Sequence, residues 1–391
     1  MASQSPARRR SLRLIAQSLA ALSGGSAFSA LAQGTASPSG FGTPASTAQR
    51  IGTGLAQIAL LVPPSNGVYQ RAGEALIEGM RAAQARDDVT AVEVIEVGES
   101  GFELHQLCAT LRERGFALAI GPLTRNAVTG LATGGPPALP VLALNQADNI
   151  ALPGNIITFG LSIESEAAQV AAYAFADASS RAVGRRPRAA IVHDGSPASQ
   201  RSVGAFIDAW HLHGGEFYEP IQTSSGSIAP MRALLRQVEA DVYFVSSPLD
   251  TAAALREAVA DRARIYGTSL LNSGAMGGSG DGAETLRSPE LEGIRIIAMP
   301  WQVQRDHPAV LAYPRPAAMG VELQKLYALG IDAYRLGVQL LSGQARLEVD
   351  GVTGLLRLDL THDPRVERLP LLAEYRDGVL VAIDPYGGPG R

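Results

Sequence analysis

The chain has 391 residues, and at about 100–200 residues per domain this is enough for two domains. Apolar residues make up 46% and charged residues 18% of the chain, which excludes a disordered protein and a multi-pass membrane protein. Acidic residues outnumber basic ones by 37 to 33, and the single lysine is Lys325, so we do not expect nucleic acid as a partner.

The N-terminus has the three-part layout of an export signal. Residues 8–14 are basic, residues 14–31 are mildly apolar, and Ala30-Leu31-Ala32 is a small-residue cleavage site. We therefore expect residues 1–32 to be removed on export to the periplasm, with no transmembrane segment in the mature protein. Arg9-Arg10-Ser11-Leu12 resembles a twin-arginine signal, and the ordinary secretory route is the alternative.

Small and polar residues follow the signal, which predicts a flexible linker over residues 33–55 and a folded part from about Ala56. The only cysteine, Cys108, lies at helical spacing from Leu104 and Leu111, which predicts a buried apolar side chain. With no cysteine at the end of the signal, we expect an unlipidated protein without disulfides.

Apolar runs then alternate with helical patterns along the chain. The predicted strands of the first series are 57–62, 91–95, 117–121, 141–144 and 157–159, and its helices are 69–86, 105–114 and one from about Asn126. The predicted strands of the second series are 189–192, 241–245 and 264–267, and its helices are 164–178, 197–213, 231–238 and 251–259.

The last part of the chain carries the longest amphipathic pattern, which predicts a helix over 323–341. Short strands follow at 355–360 and within 369–383, where Arg376-Asp377-Gly378 predicts a turn. Strands buried on both faces and separated by helices are typical of parallel, doubly wound sheets. We therefore predict an α/β protein of two lobes.

The sequence offers no catalytic constellation. A phosphate-binding loop of the Walker type is excluded because the one lysine lies inside the long predicted helix. His211 and His213 have no third residue spaced to complete a metal site, and no nucleophile elbow occurs. We assign no catalytic residue, metal ligand or cofactor, and we do not expect an enzyme.

Ligands of doubly wound sheets bind beyond the carboxyl ends of the strands. The loops there are rich in hydroxyl and amide groups, which suit a small polar ligand. The candidate ligand-binding residues are Ser65, Asn66, Thr124, Arg125, Asn145, Asp194 and Ser247. The alternative is a structural role, in which Ser65, Asn126 and Ser196 cap helices and Arg125 makes a surface salt bridge.

Residues 58–63, 72–75 and 79–83 resemble the opening of the type 1 periplasmic-binding fold of the leucine-binding-protein type. More specifically, residues 120–123, 141–146, 159–167, 205–210, 214–215, 327–334, 368–370 and 374–378 resemble the penicillin-binding protein activator family (LppC/LpoA type). Together they extend over residues 57–383.

The resemblance implies lobe 1 over residues 56–162 plus about 300–345, and lobe 2 over residues 163–299 plus about 346–385. It implies a non-enzymatic periplasmic protein that binds a peptidoglycan synthase or another cell-envelope protein. Family members carry a helical-repeat domain and a lipidated cysteine ahead of this fold, which the present sequence does not show. The alternative is a solute-binding protein that delivers an amino acid or related polar ligand to an ABC transporter permease.

Overall fold

The computed structural model describes residues 49–148, 150–223, 228–235, 237–260, 262–274, 287–316 and 319–383. The expected export signal and residues 33–48 of the expected linker lie outside the described residues. So do residues 275–282 of the glycine-rich stretch 274–282, which the sequence predicts to be an exposed loop. Within the described part, no helix is both long enough and apolar enough to cross a membrane.

The chain divides into two compact units, each built from separate stretches of sequence. Unit 1 contains residues up to Leu161 together with Leu326–Asp350 and Leu355–Arg368. Unit 2 contains Ser162–Lys325, Gly351–Gly354 and the residues from Leu369 onward.

Unit 1 contains a sheet of nine described strands in the order β1-β3-β2-β4-β5-β6-β15-β14-β13. The strands are β1 (Gln49–Ile51), β2 (Ala56–Val62), β3 (Ala91–Glu96), β4 (Leu118–Ile120), β5 (Val141–Ala143), β6 (Ile156–Thr158), β13 (Arg346–Asp350), β14 (Leu355–Asp359) and β15 (Asp363–Leu369). The helices are α1 (Gln70–Asp87), α2 (Gly101–Glu113), α3 (Arg125–Thr133) and most of α10 (Val321–Leu341). Strands β2 to β6 pair in parallel, as expected of a doubly wound sheet.

Unit 2 contains a second sheet, in the order β17-β16-β12-β11-β10-β7-β8, with β9 also paired to β7. The strands are β7 (Arg188–His193), β8 (Glu216–Phe217), β9 (Ile221–Gln222), β10 (Val242–Ser246), β11 (Arg264–Gly267), β12 (Arg295–Ala298), β16 (Leu371–Arg376) and β17 (Val379–Ala382). The helices are α4 (Ile163–Arg181), α5 (Pro197–Leu212), α6 (Ile228–Leu235), α7 (Leu249–Val259), α8 (Pro300–Val303) and α9 (Pro308–Leu311). Strands β7, β10, β11 and β12 pair in parallel, and β16 and β17 complete the sheet with antiparallel pairs.

The continuous apolar runs of the strands follow from burial on both faces of each sheet. In β10, Tyr243 and Val245 belong to the hydrophobic core on one face of the unit 2 sheet. Phe244, between them, belongs to the core on the other face, because successive side chains of a strand point in opposite directions. The predicted α/β class, with mainly parallel doubly wound sheets flanked by helices, is confirmed.

The predicted lobe boundaries differ from the two units in the last third of the chain. Residues 300–325 group with unit 2, although the resemblance implied lobe 1. Residues 346–350 and 355–368 group with unit 1, although lobe 2 was implied, because β15 pairs in parallel with β6 and adds β14 and β13 to that sheet.

The expected linker over residues 33–55 also includes residues that belong to the folded part. Gln49–Ile51 form β1, which pairs antiparallel with β3, and the side chain of Ile51 is buried. Helix α2 starts four residues before the predicted one because the Ser100 hydroxyl accepts a hydrogen bond from Glu103 N. The predicted Asp377-Gly378 turn is confirmed, with both residues in the left-handed region.

Candidate functional site

In unit 1 the candidate residues follow neighbouring parallel strands. Leu60 of β2 pairs with Ile120 of β4, and Ile120 pairs with Leu142 of β5. The loops after these three strands therefore leave the same edge of the sheet side by side. This edge contains the predicted residues Ser65, Asn66, Thr124, Arg125 and Asn145.

Thr124 and Asn145 use their polar groups inside the protein. The Thr124 hydroxyl accepts a hydrogen bond from Ala127 N at 3.4 Å and caps the N-terminus of α3. The Asn145 amide donates to the Leu123 carbonyl at 3.0 Å and accepts from Gln146 N at 2.9 Å. Asn145 thereby joins the loop after β5 to the loop after β4.

Arg125 forms the surface salt bridge that the sequence left open as the alternative to ligand binding. Its Nη1 lies 2.9 Å from Asp148 Oδ1, at the exposed edge of the same pair of loops. The structure therefore brings Thr124, Arg125 and Asn145 together, with each one bonded to a neighbouring part of unit 1.

Ser65 and Asn66 do not join this group. Both are exposed in the loop after β2, where Gly67 N donates to Pro64 O, and no described contact links them to Thr124 or Asn145. The alternative role of Ser65 as a helix cap is wrong, because α1 begins after Tyr69 without a side-chain cap.

Two predicted caps remain to be placed. Asn126 does not cap α3, since that position belongs to Thr124, and its amide donates instead to Glu99 Oε2 at 3.1 Å. Ser196 does cap α5, as its hydroxyl accepts from Ser199 N at 3.2 Å.

In unit 2, Asp194 lies in the loop between β7 and α5. Its Oδ1 accepts a hydrogen bond from Ser196 N at 2.9 Å. Partial burial raises the pKa of Asp194, but hydrogen bonds from Ser196 and Ser199 outweigh it and leave the pKa below its usual value. Asp194 is therefore an ionised acceptor whose partners lie in its own loop and in the first turn of α5.

Three polar side chains end neighbouring strands of unit 2 at the same level. His193 of β7 pairs with Ser246 of β10. Val245 pairs with Gly267 of β11, so Thr268, the next residue, lies beside Ser246. Parallel neighbours at one level point to the same face of a sheet. We call His193, Ser246 and Thr268 the polar row.

Helix α5 covers the face of the polar row. The Ser199 hydroxyl donates to the Ser246 carbonyl at 2.6 Å, and about two turns further along α5 the ring of Phe206 stacks on that of Phe244, with 4.2 Å between the ring centroids. Ser202 lies between these two contacts on the same side of α5 and is fully buried. It therefore faces the sheet next to the polar row.

Several polar atoms in this region are buried without a hydrogen-bond partner among the described residues. They are Nδ1 of His193, Oγ of Ser202, Oγ of Ser246, Oγ of Ser247 and Oγ1 of Thr268. Leaving such a group unpaired costs about 1–3 kcal/mol, and buried polar groups nearly always have a partner. These atoms therefore keep hydrogen-bonding capacity that no described residue uses.

The charge state of His193 follows from its surroundings. Burial lowers the pKa of His193 more than the nearby Asp194 carboxylate raises it. The imidazole is therefore neutral at pH 7 and can donate from one nitrogen while it accepts at the other. No hydrogen bond joins His193 Nδ1 to the Ser246 hydroxyl, so the structure shows no base paired with a nucleophile at this position.

Two buried side chains, Glu166 and Lys325, bind the backbone of Ser269, the residue after Thr268. Glu166, in the first turn of α4, accepts a hydrogen bond from Ser269 N at 3.0 Å. Lys325, the single lysine, donates to the Ser269 carbonyl at 3.1 Å and pairs with Glu322 at 2.7 Å. The ammonium and the carboxylate hold the backbone after β11 from two sides.

Of these residues, the sequence analysis selected Asp194 and Ser247. It counted His193, Ser246 and Thr268 among the strand-end loops without selecting them, and it missed Ser202. The unselected strand-end residues each follow a buried apolar residue by two positions, for example His193 after Ile191. That spacing places them on a covered face, but only the strand register shows that they are neighbours. Among the described residues, no group of three or more His, Cys, Asp or Glu side chains could hold a metal ion.

Comparison with known families decides the affiliation of the chain. The family model described as "LppC putative lipoprotein" matches residues 49–218 and 221–378, which include both units. The chain belongs to the LppC family. The resemblance inferred from the sequence phrases is therefore confirmed.

Curated relatives of this LppC chain are named penicillin-binding protein activator LpoA. The relative from Pectobacterium parmentieri is 24% identical over 339 residues, covering 72% of this chain and 46% of the relative. The one from Edwardsiella piscicida is 26% identical over 326 residues, covering 72% of this chain and 44% of the relative. The chain thus spans less than half the length of these curated relatives.

Two solved structures illustrate the fold. The C-domain of LpoA from Haemophilus influenzae, described as a regulator of PBP1A, is 21% identical, with a TM-score of 0.64 over 84% of this chain and 100% of that one. A Chromobacterium violaceum protein described as a "putative branched-chain amino acid ABC transporter" is 32% identical, with a TM-score of 0.64 over 82% of this chain and 99% of that one.

Proposed function

We propose that this LppC chain is a non-enzymatic periplasmic protein that binds a peptidoglycan synthase of the penicillin-binding protein class and raises its activity. The observation that carries the proposal is the family match through both units. Its curated relatives are named activators of penicillin-binding proteins, and the matching Haemophilus influenzae domain is described as a regulator of one. The signal-like pattern of residues 1–32 supports export to the compartment where these synthases act.

The strand-end groups of unit 1 support a protein partner over a small solute. A solute site needs polar groups that are free to face the ligand. Here Thr124 caps its own helix, Asn145 joins two loops, and Arg125 is paired with Asp148. Three of the five polar residues that the sequence offered for a solute in unit 1 therefore already have partners there, while Ser65 and Asn66 are exposed in the loop after β2.

The test uses the mature protein and a purified bifunctional synthase from the same organism. Glycan polymerisation and peptide cross-linking are measured with labelled lipid-linked precursor at increasing amounts of the LppC protein. We expect a saturable rise in at least one of the two rates, together with direct binding in a biosensor assay. Unchanged rates and no binding, with a synthase that is active alone, would refute the proposal.

The second candidate function is binding of a small polar solute for an ABC transporter. The unpaired buried groups around the polar row and the Chromobacterium violaceum structure favour it. A thermal-shift screen against amino acids, muropeptides and organic acids tests it, since a ligand at 100 times its Kd stabilises a protein by about 2.7 kcal/mol. A hit that Ser246→Ala weakens at least tenfold, and that Ser65→Ala leaves unchanged, would support solute binding at the polar row.

A further inference from the structure

At the end of the unit 1 sheet formed by β13, β14 and β15, one face carries charged side chains. Along β13, Leu347 and Val349 are buried while Arg346 and Glu348 are exposed, because the side chains alternate between the two faces. The same alternation in β14 and β15 exposes further charges. We call the exposed set the charged face; it consists of Arg346, Glu348, Arg357, Asp359, Arg365 and Glu367, which line an open depression of about 530 Å³.

The charges of this face alternate in sign in two directions. Arg346 pairs with Asp359 across the strands at 3.0 Å, and Arg357 pairs with Glu348 at 2.9 Å. These residues are also direct partners in the β13–β14 register. The sign therefore changes along β13, from Arg346 to Glu348, and changes again across to β14.

The negative charge at Asp359 does not depend on pH in the physiological range. Thr361 donates hydrogen bonds to Asp359, and with Arg346 and His362 it lowers the pKa of Asp359 to about 2. Asp359 is therefore ionised at every physiological pH.

Stability does not account for this arrangement. The side chains of Arg346, Glu348 and Arg357 are 72%, 62% and 50% exposed, and ion pairs at such positions contribute about 0–1 kcal/mol. Each of the two arginines uses its Nε in the pair, and the described residues offer its Nη groups no partner. Glu367 has no ion-pair partner among the described residues. The face thus keeps donors and an acceptor for a partner.

The alternation selects the kind of partner. A polyanion would be repelled by the carboxylate beside each guanidinium, and a polycation would be repelled by the guanidinium beside each carboxylate. Neither would therefore bind favourably across the whole face. A small solute gains little from a shallow and open depression. A protein surface that itself carries alternating acidic and basic side chains can meet an opposite charge at each position.

We infer that the charged face is the surface on which the partner protein docks, through a complementary surface of alternating acidic and basic side chains. The inference rests on the proposed function and names the part of the molecule that performs it. Since β13 is the last strand in the order of the described strands, the face extends to the edge of that sheet. Binding through exposed charges of this kind weakens as the salt concentration rises.

The test exchanges charges without changing the net charge. In the double variant Glu348→Arg/Arg357→Glu the cross-strand pair can still form, but the sign at both positions is inverted. The matched control is Arg188→Glu/Glu216→Arg in unit 2. That pair joins the same atom types across neighbouring strands at 3.0 Å, with side chains 52% and 44% exposed.

Binding to the purified synthase is measured by biosensor at 50 and 200 mM salt, with the melting temperature as a check on folding. We expect the control to bind like the wild type, and the exchanged charged face to bind at least tenfold more weakly with a smaller salt dependence. The single change Glu367→Gln, which breaks no ion pair, is expected to weaken binding about threefold and gives a reading that does not depend on folding of the double variant.

The possible failures are distinguishable. If the wild type binds the synthase and both charged-face variants bind equally well, the docking surface lies elsewhere while the proposed function stands. If the wild type neither binds nor activates the synthase, the proposed function is wrong and the inference falls with it.

Discussion

The replacement of Gly330 by alanine tests the packing on which unit 1 depends. Gly330 lies in α10 and is buried against α1. A Cβ at this position would overlap the carbonyl oxygen of Leu76 and lie 3.0 Å from Met80 N. The contact is reciprocal, because a Cβ at Gly79 of α1 would overlap the carbonyl oxygen of Tyr327 in α10. The two helices therefore touch through their backbones.

The magnitude follows from two opposing effects. Alanine is favoured over glycine inside a helix by about 1 kcal/mol. Overpacking a buried site costs about 1–3 kcal/mol, and at Gly330 the obstacle is helix backbone, which cannot rotate away as a side chain can. Taking the upper end of that cost, about 3 kcal/mol, less the helix preference of about 1 kcal/mol, we expect Gly330→Ala to lower the free energy of unfolding by about 2 kcal/mol. In a domain of 150–250 residues, each kcal/mol lost from the free energy of unfolding lowers Tm by about 2–4 °C.

The control is Gly204→Ala in α5, where an added Cβ would meet no atom within 4 Å. Here the helix preference acts alone, so we expect a gain of about 0.5–1 kcal/mol. Both variants are compared with the wild type by urea and thermal unfolding followed by circular dichroism. Equal stability of the two variants would refute the close approach of α1 and α10.

Three further outcomes are expected. Asn145→Ala, which removes the link to the Leu123 carbonyl, lowers the free energy of unfolding by about 1–2 kcal/mol, while Asn126→Ala changes it by less than about 0.5 kcal/mol in the same urea titration. The pKa of Asp194 is lowered in the folded state, so the carboxylate stabilises the folded protein above its unfolded pKa of about 3.9, and this stabilisation is lost as the pH falls through the folded pKa. Asp194→Asn should therefore make the free energy of unfolding less dependent on pH in the acid range. An unchanged pH dependence would contradict the lowered pKa. Burial raises the pKa of Cys108 to about 11, so Ellman's reagent at pH 8 should label it only after denaturation, and rapid labelling of the native protein would contradict its burial.

The alternation of apolar runs and helical patterns was enough to predict the parallel core of both sheets. What it could not predict was which sheet receives each late strand. Strand β15 ends at Leu369 in the first sheet, and β16 begins at Leu371 in the second. Only Pro370 separates them, and proline has no N–H to donate to either ladder. The sequence marks a break at this residue, but the partners β6 and β12 lie far away in the chain, so their identity is not a local property.

The candidate site was harder to predict for a related reason. Residue type and position after a strand selected Ser65, Thr124 and Asn145 alike. Thr124 and Asn145 turned out to be bonded within unit 1, and Ser65 is exposed and separate from them. Whether a hydroxyl or amide is free depends on which backbone groups other loops bring to it. Ser246 and Thr268 belong to the strand-end loops but were not selected from them, because the burial and proximity of their hydroxyls follow from strand register.

The sequence phrases that carried the resemblance to the fold and to the family coincide with places where close contacts constrain the backbone. Residues 79–83 and 327–334 contain the two glycines through which α1 and α10 touch, and residues 141–146 contain the amide that joins two loops. The charged face, between residues 346 and 367, lies outside every one of these phrases. A sequence pattern set by backbone contact specifies the fold and the family, whereas no backbone contact of this kind specifies the side chains of an exposed face. The docking surface therefore has to be read from the arrangement of charges in the structure.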